Sequence, residues 1–150
     1  MCPNNGCMIN SFQWFTVGVE MPDIDFTRVQ NWIAEVAATH DRMVGELAYI
    51  FCNDDEILRV NREFLNHDYF TDIITFDNSR GRLLRGDMYI SLDTVRTNAE
   101  LVGASYTTEL LRVIIHGVLH LCGINDKGPG EREIMEANED SALNLYQSTF

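Results

Sequence analysis

Lysine is nearly absent from this 150-residue chain: Lys127 stands beside ten arginines, and 11 basic residues face 23 acidic ones for a formal net charge of −12. So few cations exclude nonspecific duplex binding through phosphate neutralisation, and any nucleic-acid role needs local relief. Long apolar runs are missing as well. The longest candidate, Leu110 to Cys122, is broken by Arg112, His116 and His120. It falls short of the roughly 18 to 20 residues that a spanning helix needs, which excludes an integral membrane protein. The opening MCPNNGCMINS has neither the basic start nor the apolar stretch of a secretory signal, so the expected compartment is the cytoplasm. The four cysteines, Cys2, Cys7, Cys52 and Cys122, lack the dense spacing of a disulfide scaffold, and no second pair joins Cys2 and Cys7 in a zinc site. Internal repeats and linkers are absent too. That leaves residues 1–9 as a flexible tail ahead of one domain, 10–150.

What is present is an apolar fraction of 45% against 23% charged, the balance of a folded globular domain. Alternation over Phe12 to Glu20 predicts a strand. Asp25 is placed to start a helix with Phe26, Val29, Ile33, Val36 and Ala37 at helical spacing. Gly45 to Cys52 predicts a second strand, after which Asn53 or Asp54 caps a helix carrying Ile57, Leu58, Asn61, Phe64 and Leu65 along one side. Thr71 to Phe76 and Gly86 to Leu92 read as strands joined in a hairpin by the turn at Asn78 to Arg82. Asp93 is the expected cap of a third helix ended by Gly103; Ser105 is that of a fourth, which runs to Cys122 with Gly123 as a left-handed C-cap. The fourth helix is apolar nearly all round. It belongs at the centre of the domain, where its polar side chains need partners. After a GPG turn, Glu131 to Gln147 predicts a last helix with Ile134, Met135, Ala142 and Leu145 facing inward. His40, ending the first helix, suits the helix dipole as a partly protonated imidazole. The order of elements predicts an α+β fold or a mixed sheet covered by helices.

The sharpest chemical signal is residues 116–126, HGVLHLCGIND. His116 and His120 are four apart on a predicted helix, so both imidazoles leave one face and can reach one metal at about 2.0 to 2.1 Å. Gly123 lets the chain turn back and return Asp126 as a third ligand, with Glu131 and Glu133 after the GPG turn as its competitors. Three ligands and an open position describe a catalytic zinc, one per chain. Arg80, Arg82 and Arg85 in SRGRLLR, with Arg59 and Arg62 elsewhere, offer planar forks suited to phosphate, or else an ordinary solvated loop.

The spacing of the histidine segment resembles that of the metzincin proteases, but Gly117 stands where their glutamate base follows the first histidine. The chain is more similar to the YbeY family of endoribonucleases and rRNA maturation factors, whose hallmark HGxLHLxGxDH is matched at His116, Gly117, Leu119, His120, Leu121 and Gly123. The resemblance continues through Asn61, Arg62, Asp68, Thr71, Asp72 and Phe76, then Gly86, Asp87 and Ile90, and covers about residues 10–147. It implies a mixed, mostly parallel four-stranded sheet covered by about five helices, with the metal site on a central C-terminal helix. It also implies a zinc-dependent endoribonuclease specific for single strands, acting in rRNA maturation and ribosome quality control. The implied partners are single-stranded RNA on ribosomal particles and a ribosomal protein or GTPase.

In that frame Asp72 faces the metal cleft; Arg62, Asp72 and Arg82 are candidate substrate contacts, and Tyr69 or Phe70 could stack a base. Three positions depart from the family pattern: Asp126 replaces the third histidine, Leu65 an arginine and Phe70 a proline. A carboxylate ligand weakens the acidifying pull of the cation. Arg62, one turn before Leu65, or His67 is the candidate catalytic source of the missing charge. Two other readings stay open: a hydrolase of peptides or small molecules that lacks the glutamate base, and a non-enzymatic ribosome assembly factor with a structural metal.

Overall fold

The computed structural model describes residues 11–67 and 71–150; the expected N-terminal tail with Cys2 and Cys7, and the positions Asp68, Tyr69 and Phe70, lie outside the described residues. The strands are β1 (Ser11–Val17), β2 (Met43–Cys52), β3 (Ile73–Asp77) and β4 (Leu83–Ser91); the helices are α1 (Phe26–Thr39), α2 (Asp54–Leu65), α3 (Leu92–Val102), α4 (Tyr106–Leu121) and α5 (Glu131–Thr149). One four-stranded sheet runs in the order β1-β2-β4-β3. β1 with β2 and β2 with β4 pair parallel, while β3 returns antiparallel to β4 as the expected hairpin. The α+β class, the mixed sheet and the five helices agree with the sequence reading. Thr71 and Asp72 precede β3 rather than belonging to it, and the Ser91 N–H donates to the Asp72 carbonyl at 2.9 Å.

Helix starts follow local chemistry. Asp25, Asn53 and Ser105 each accept a hydrogen bond from the backbone N–H three residues on, at 3.1, 2.9 and 3.1 Å. The third helix departs from expectation: Ser91, not Asp93, is its cap, accepting from Thr94 N at 3.3 Å. β4 passes straight into α3, so Ser91 is the last extended residue and Leu92 is already helical. Asp93 caps the neighbour instead, its Oδ2 accepting from Asp54 N at 3.0 Å.

Alternate strand residues serve two layers. Tyr49, Phe51, Met88 and Ile90 join the main core with α1, α4 and α5, whereas Cys52, Ile74, Phe76 and Tyr89 meet Ile57 and Val60 of α2 on the other face. The buried side of α2 is Ile57, Val60 and Asn61. Leu58 is only half-buried, Leu65 is exposed, and Phe64 sits at the solvent margin with its ring edge-on to Phe76, 6.1 Å between centroids. On α5 the inward stripe is Met135, Glu139, Ala142 and Leu143. Ile134, about 100° around the axis from Met135, is exposed, and Leu145 is half-buried. α4 occupies the centre as expected, with nine buried residues, and the Tyr49 hydroxyl ties β2 to it by donating to Ile114 O at 3.1 Å. His40 caps α1 through its backbone N–H, but burial and then the Arg42 charge push its imidazole below the ordinary value, which works against the protonated form expected at the helix end.

Candidate functional site

Gly117 brings α4 down onto the sheet. A Cβ there would lie 2.8 Å from Met88 Sδ and 3.0 Å from Ile73 Cδ1, so a side chain at this position would enter the core and not the cleft beside His116. A peptidase base has no room where the metzincin pattern would put it. His116, the residue before, turns the other way into a cleft of about 790 Å³ that Asp72, Glu109, Arg112, Asp126 and Glu139 also line.

The two ring nitrogens of His116 face two carboxylates. Nδ1 is 2.6 Å from Glu139 Oε2, and Nε2 is 3.2 Å from Asp126 Oδ2. Asp126 reaches that place because Gly123 adopts φ 96° just after α4, a conformation that side-chain-bearing residues avoid. Glu131, its sequence competitor, is committed elsewhere: its Oε1 accepts from Gly128 N at 2.6 Å and closes the turn before α5. Glu133 is exposed on the first turn of α5. Glu139 completes its own bonding with Arg112, whose Nη1 donates to Oε1 at 2.9 Å while Nη2 donates to Asp140 Oδ1 at 2.7 Å.

Electrostatics in the cleft favour an added positive charge. Burial alone would lower the His116 imidazole, but the Glu139 hydrogen bond and charge, with Asp126 and Asp72 behind them, outweigh it and hold the ring above its ordinary value. Burial raises Asp72, helped by the Glu139 charge and opposed by His116 and by backbone hydrogen bonds. It raises Glu109 likewise, with Asp72 and Glu139 adding to the effect and Arg112 opposing it.

A tetrahedral cation about 2.0 to 2.1 Å from each ligand keeps its ligand atoms roughly 3.3 Å apart, so the facing atoms of His116 and Asp126 have a spacing that fits one. His120 lies one turn along on the exposed side of α4, and among the described residues no three His, Cys, Asp or Glu side chains are gathered closely enough to hold an ion. The structure thus brings together His116, Asp126 and Asp72 from the sequence candidates. Arg62 and His67 are exposed at the end of α2, against the sheet face opposite α4, and neither is among the residues that line the cleft. Arg82 is held at 2.6 Å by Asp41 beside the hairpin turn, at the far end of β4 from Asp72. Nine residues of strand separate the two by roughly 25 to 30 Å. Two more of the candidate arginines are paired: Arg85 with Glu46 at 3.0 Å, and Arg59 with Glu56 and Glu63. Sequence reasoning missed Glu139. Its signal was an acid on the inward stripe of α5, between Met135 and Ala142.

Comparison with known proteins supplies the context of this cleft. The profile of the family described as Endoribonuclease YbeY matches residues 18–147. The chain belongs to the YbeY family. That YbeY match takes in every site residue named above. A relative from Phocaeicola vulgatus, described as Endoribonuclease YbeY, is 65% identical over 130 residues, covering 87% of this chain and 94% of its own. One of the same description from Bacteroides thetaiotaomicron is 64% identical over 128 residues, 85% of this chain and 93% of its own. A third, from Porphyromonas gingivalis, is 49% identical over 136 residues, 91% and 90% of the two chains. The solution structure of a Thermotoga maritima protein superposes with a TM-score of 0.66 over 90% of this chain and 88% of that one, at 24% identity, and so shares its fold.

Proposed function

We propose that this YbeY-family protein is a zinc-dependent, single-strand-specific endoribonuclease acting in rRNA maturation and ribosome quality control. The observation that carries the reading is identity of 64 to 65% to proteins described as endoribonucleases over more than nine-tenths of their length. The zinc part is supported by the spacing of His116 and Asp126 and by a cleft whose half-buried acids Asp72 and Glu109 are pushed toward their neutral forms. His116, Asp126 and His120 are the residues to hold the ion, the exposed His120 ring being free to change rotamer on a fast timescale. Bound there, zinc supplies a Lewis acid to the phosphodiester and acidifies a water.

The protein's own part is to shape and charge the cleft. Asp126 places a carboxylate opposite His116, and Arg112 is clamped between Glu139 and Asp140, so little cationic surface is left for a free RNA backbone. With a net charge of −12, the substrate that suits this chain is single-stranded RNA already presented by a ribosomal particle, with a ribosomal protein or GTPase as partner. Cleavage of single-stranded RNA oligomers by purified protein, lost with chelator and restored by zinc, is the expected result. Hydrolysis of peptides but not RNA would turn the reading toward another hydrolase. Unaltered RNA, together with rescue of an rRNA maturation defect by a His116→Ala variant, would turn it toward an assembly factor.

A further inference from the structure

Glu139 and Arg112 have no task in the reading above, although they make the shortest and most buried polar contacts of the cleft. The Glu139 side chain is 7% exposed, and a carboxylate so placed is costly unless both oxygens are paired. Both are, and with different partners: Oε1 accepts from Arg112, and Oε2 faces His116 Nδ1 at 2.6 Å. An ionised carboxylate can only accept. Asp126 is an acceptor as well, so a neutral ring leaves one lone pair facing a carboxylate; the closer contact, 2.6 Å to Glu139 against 3.2 Å to Asp126, favours the proton on Nδ1 and the lone pair on Nε2. Arg112 is in turn bonded to Asp140 at 2.7 Å, which braces the guanidinium that orients the Glu139 carboxylate toward the ring.

We propose that Glu139 is the positioning residue of the site: it selects the His116 tautomer whose Nε2 can bind a divalent cation, and Arg112, anchored on Asp140, fixes Glu139 in that orientation. The inference rests on the reading of His116 as a metal ligand. A tie between α4 and α5 with no further role would predict something different. Any hydrogen-bonding side chain would then serve at position 139, and a glutamine, whose amide can donate to Nδ1, would keep the tie while allowing the wrong tautomer.

The test compares wild type with Glu139→Gln and Arg112→Gln by two measurements. The first is the nitrogen NMR signature of the His116 ring in metal-free protein, at a pH where the ring is neutral. The second is zinc affinity by chelator competition. Wild type is expected to show the Nδ1–H form, Glu139→Gln to populate Nε2–H, and zinc affinity to fall about 10- to 100-fold in Glu139→Gln. A smaller fall in the same direction is expected for Arg112→Gln. A folded Glu139→Gln protein with the wild-type ring signature and zinc affinity within twofold would overturn the proposal. Should Glu139→Gln not fold, Arg112→Gln decides by the same two readouts. Wild type that binds no zinc would sink the metal reading alone, since the ring signature still tells whether Glu139 sets the tautomer.

Discussion

His116 carries opposed partners on its two nitrogens, and the metal reading stands or falls on what happens when it or its neighbours are removed. His116→Ala and His120→Ala are each expected to lose most of the zinc found by elemental analysis of protein purified without a metal-binding tag; near-stoichiometric metal in both would dispose of the site. Asp126→Ala should weaken binding sharply and Asp126→His restore it. Glu131→Ala should hardly matter to zinc, because its carboxylate is spent on Gly128 N–H. If those two alanine variants behave the other way round, the third ligand has been misassigned. Leu65→Arg tests the missing family arginine. Leu65 ends α2 outside the residues that line the cleft, so the variant is expected to leave single-strand cleavage within about twofold; a rise of about 100- to 1,000-fold, the usual worth of a charge-assisted contact to a developing phosphorane, would show that the RNA path reaches α2. Arg62→Ala and His67→Ala are likewise expected to leave metal-dependent cleavage nearly unchanged, since neither residue lines the cleft; loss of activity in either would show that the catalytic surface extends beyond it. The histidine pair was legible in the sequence because a spacing of four is itself a statement about one helix face. Glu139 was not, since nothing local says which residue of α5 will meet a ring 23 positions earlier.

Secondary-structure elements repeat the lesson with caps and close approaches. The starts of α2 and α3 are knitted together: Ser91 Oγ donates to Asp54 Oδ1 at 2.6 Å, Thr94 Oγ1 donates to the same atom at 2.7 Å, and Asp93 caps Asp54. Ser91→Ala removes a cap and one of those donors, at an expected cost of about 1 to 2 kcal/mol in urea unfolding; an unchanged midpoint would show that Thr94 suffices. Two glycines of the YbeY resemblance should respond differently to alanine. At Gly86 a Cβ would stand 2.6 Å from the backbone oxygen of Phe76, which only a shift of the hairpin can relieve, so a loss of about 1 to 3 kcal/mol is expected. At Gly117 the obstacles are ends and sulfur of flexible side chains, and alanine regains about 1 kcal/mol of helix propensity, so the net change should be the smaller of the two. Thermal unfolding of the pair ranks them; a Gly117→Ala protein less stable than Gly86→Ala would contradict the packing argument.

Across the whole molecule the buried titratable groups set a pH window. Burial, followed by the charges of Glu56, Asp54 and Asp93, pushes the Cys52 thiol up to about 12; burial takes Cys122 up to about 11 against the pull of Arg42, and burial also raises Tyr49. Unfolded thiols ionise near pH 9, so above it the unfolded state sheds protons that the folded state keeps. Stability is therefore expected to fall between pH 9 and 12, and Cys52→Ala should flatten that decline in urea midpoints measured across the range; parallel declines would refute the assignment. By itself the sequence determined the order of strands and helices, the helix starts at Asp25 and Ser105, the central place of α4 and the four-residue spacing of its histidines; the cap of α2 it left between Asn53 and Asp54. Each of these depends on backbone preferences or periodicities expressed within a few neighbouring residues. Only the tertiary structure decided that Ser91 rather than Asp93 caps α3, that Arg82 is held by Asp41 and kept from the cleft, and that Glu139 and Asp126 meet the two nitrogens of His116. Those choices join residues far apart in the chain, and they are settled by which polar atoms burial leaves without water and which partners packing puts within reach.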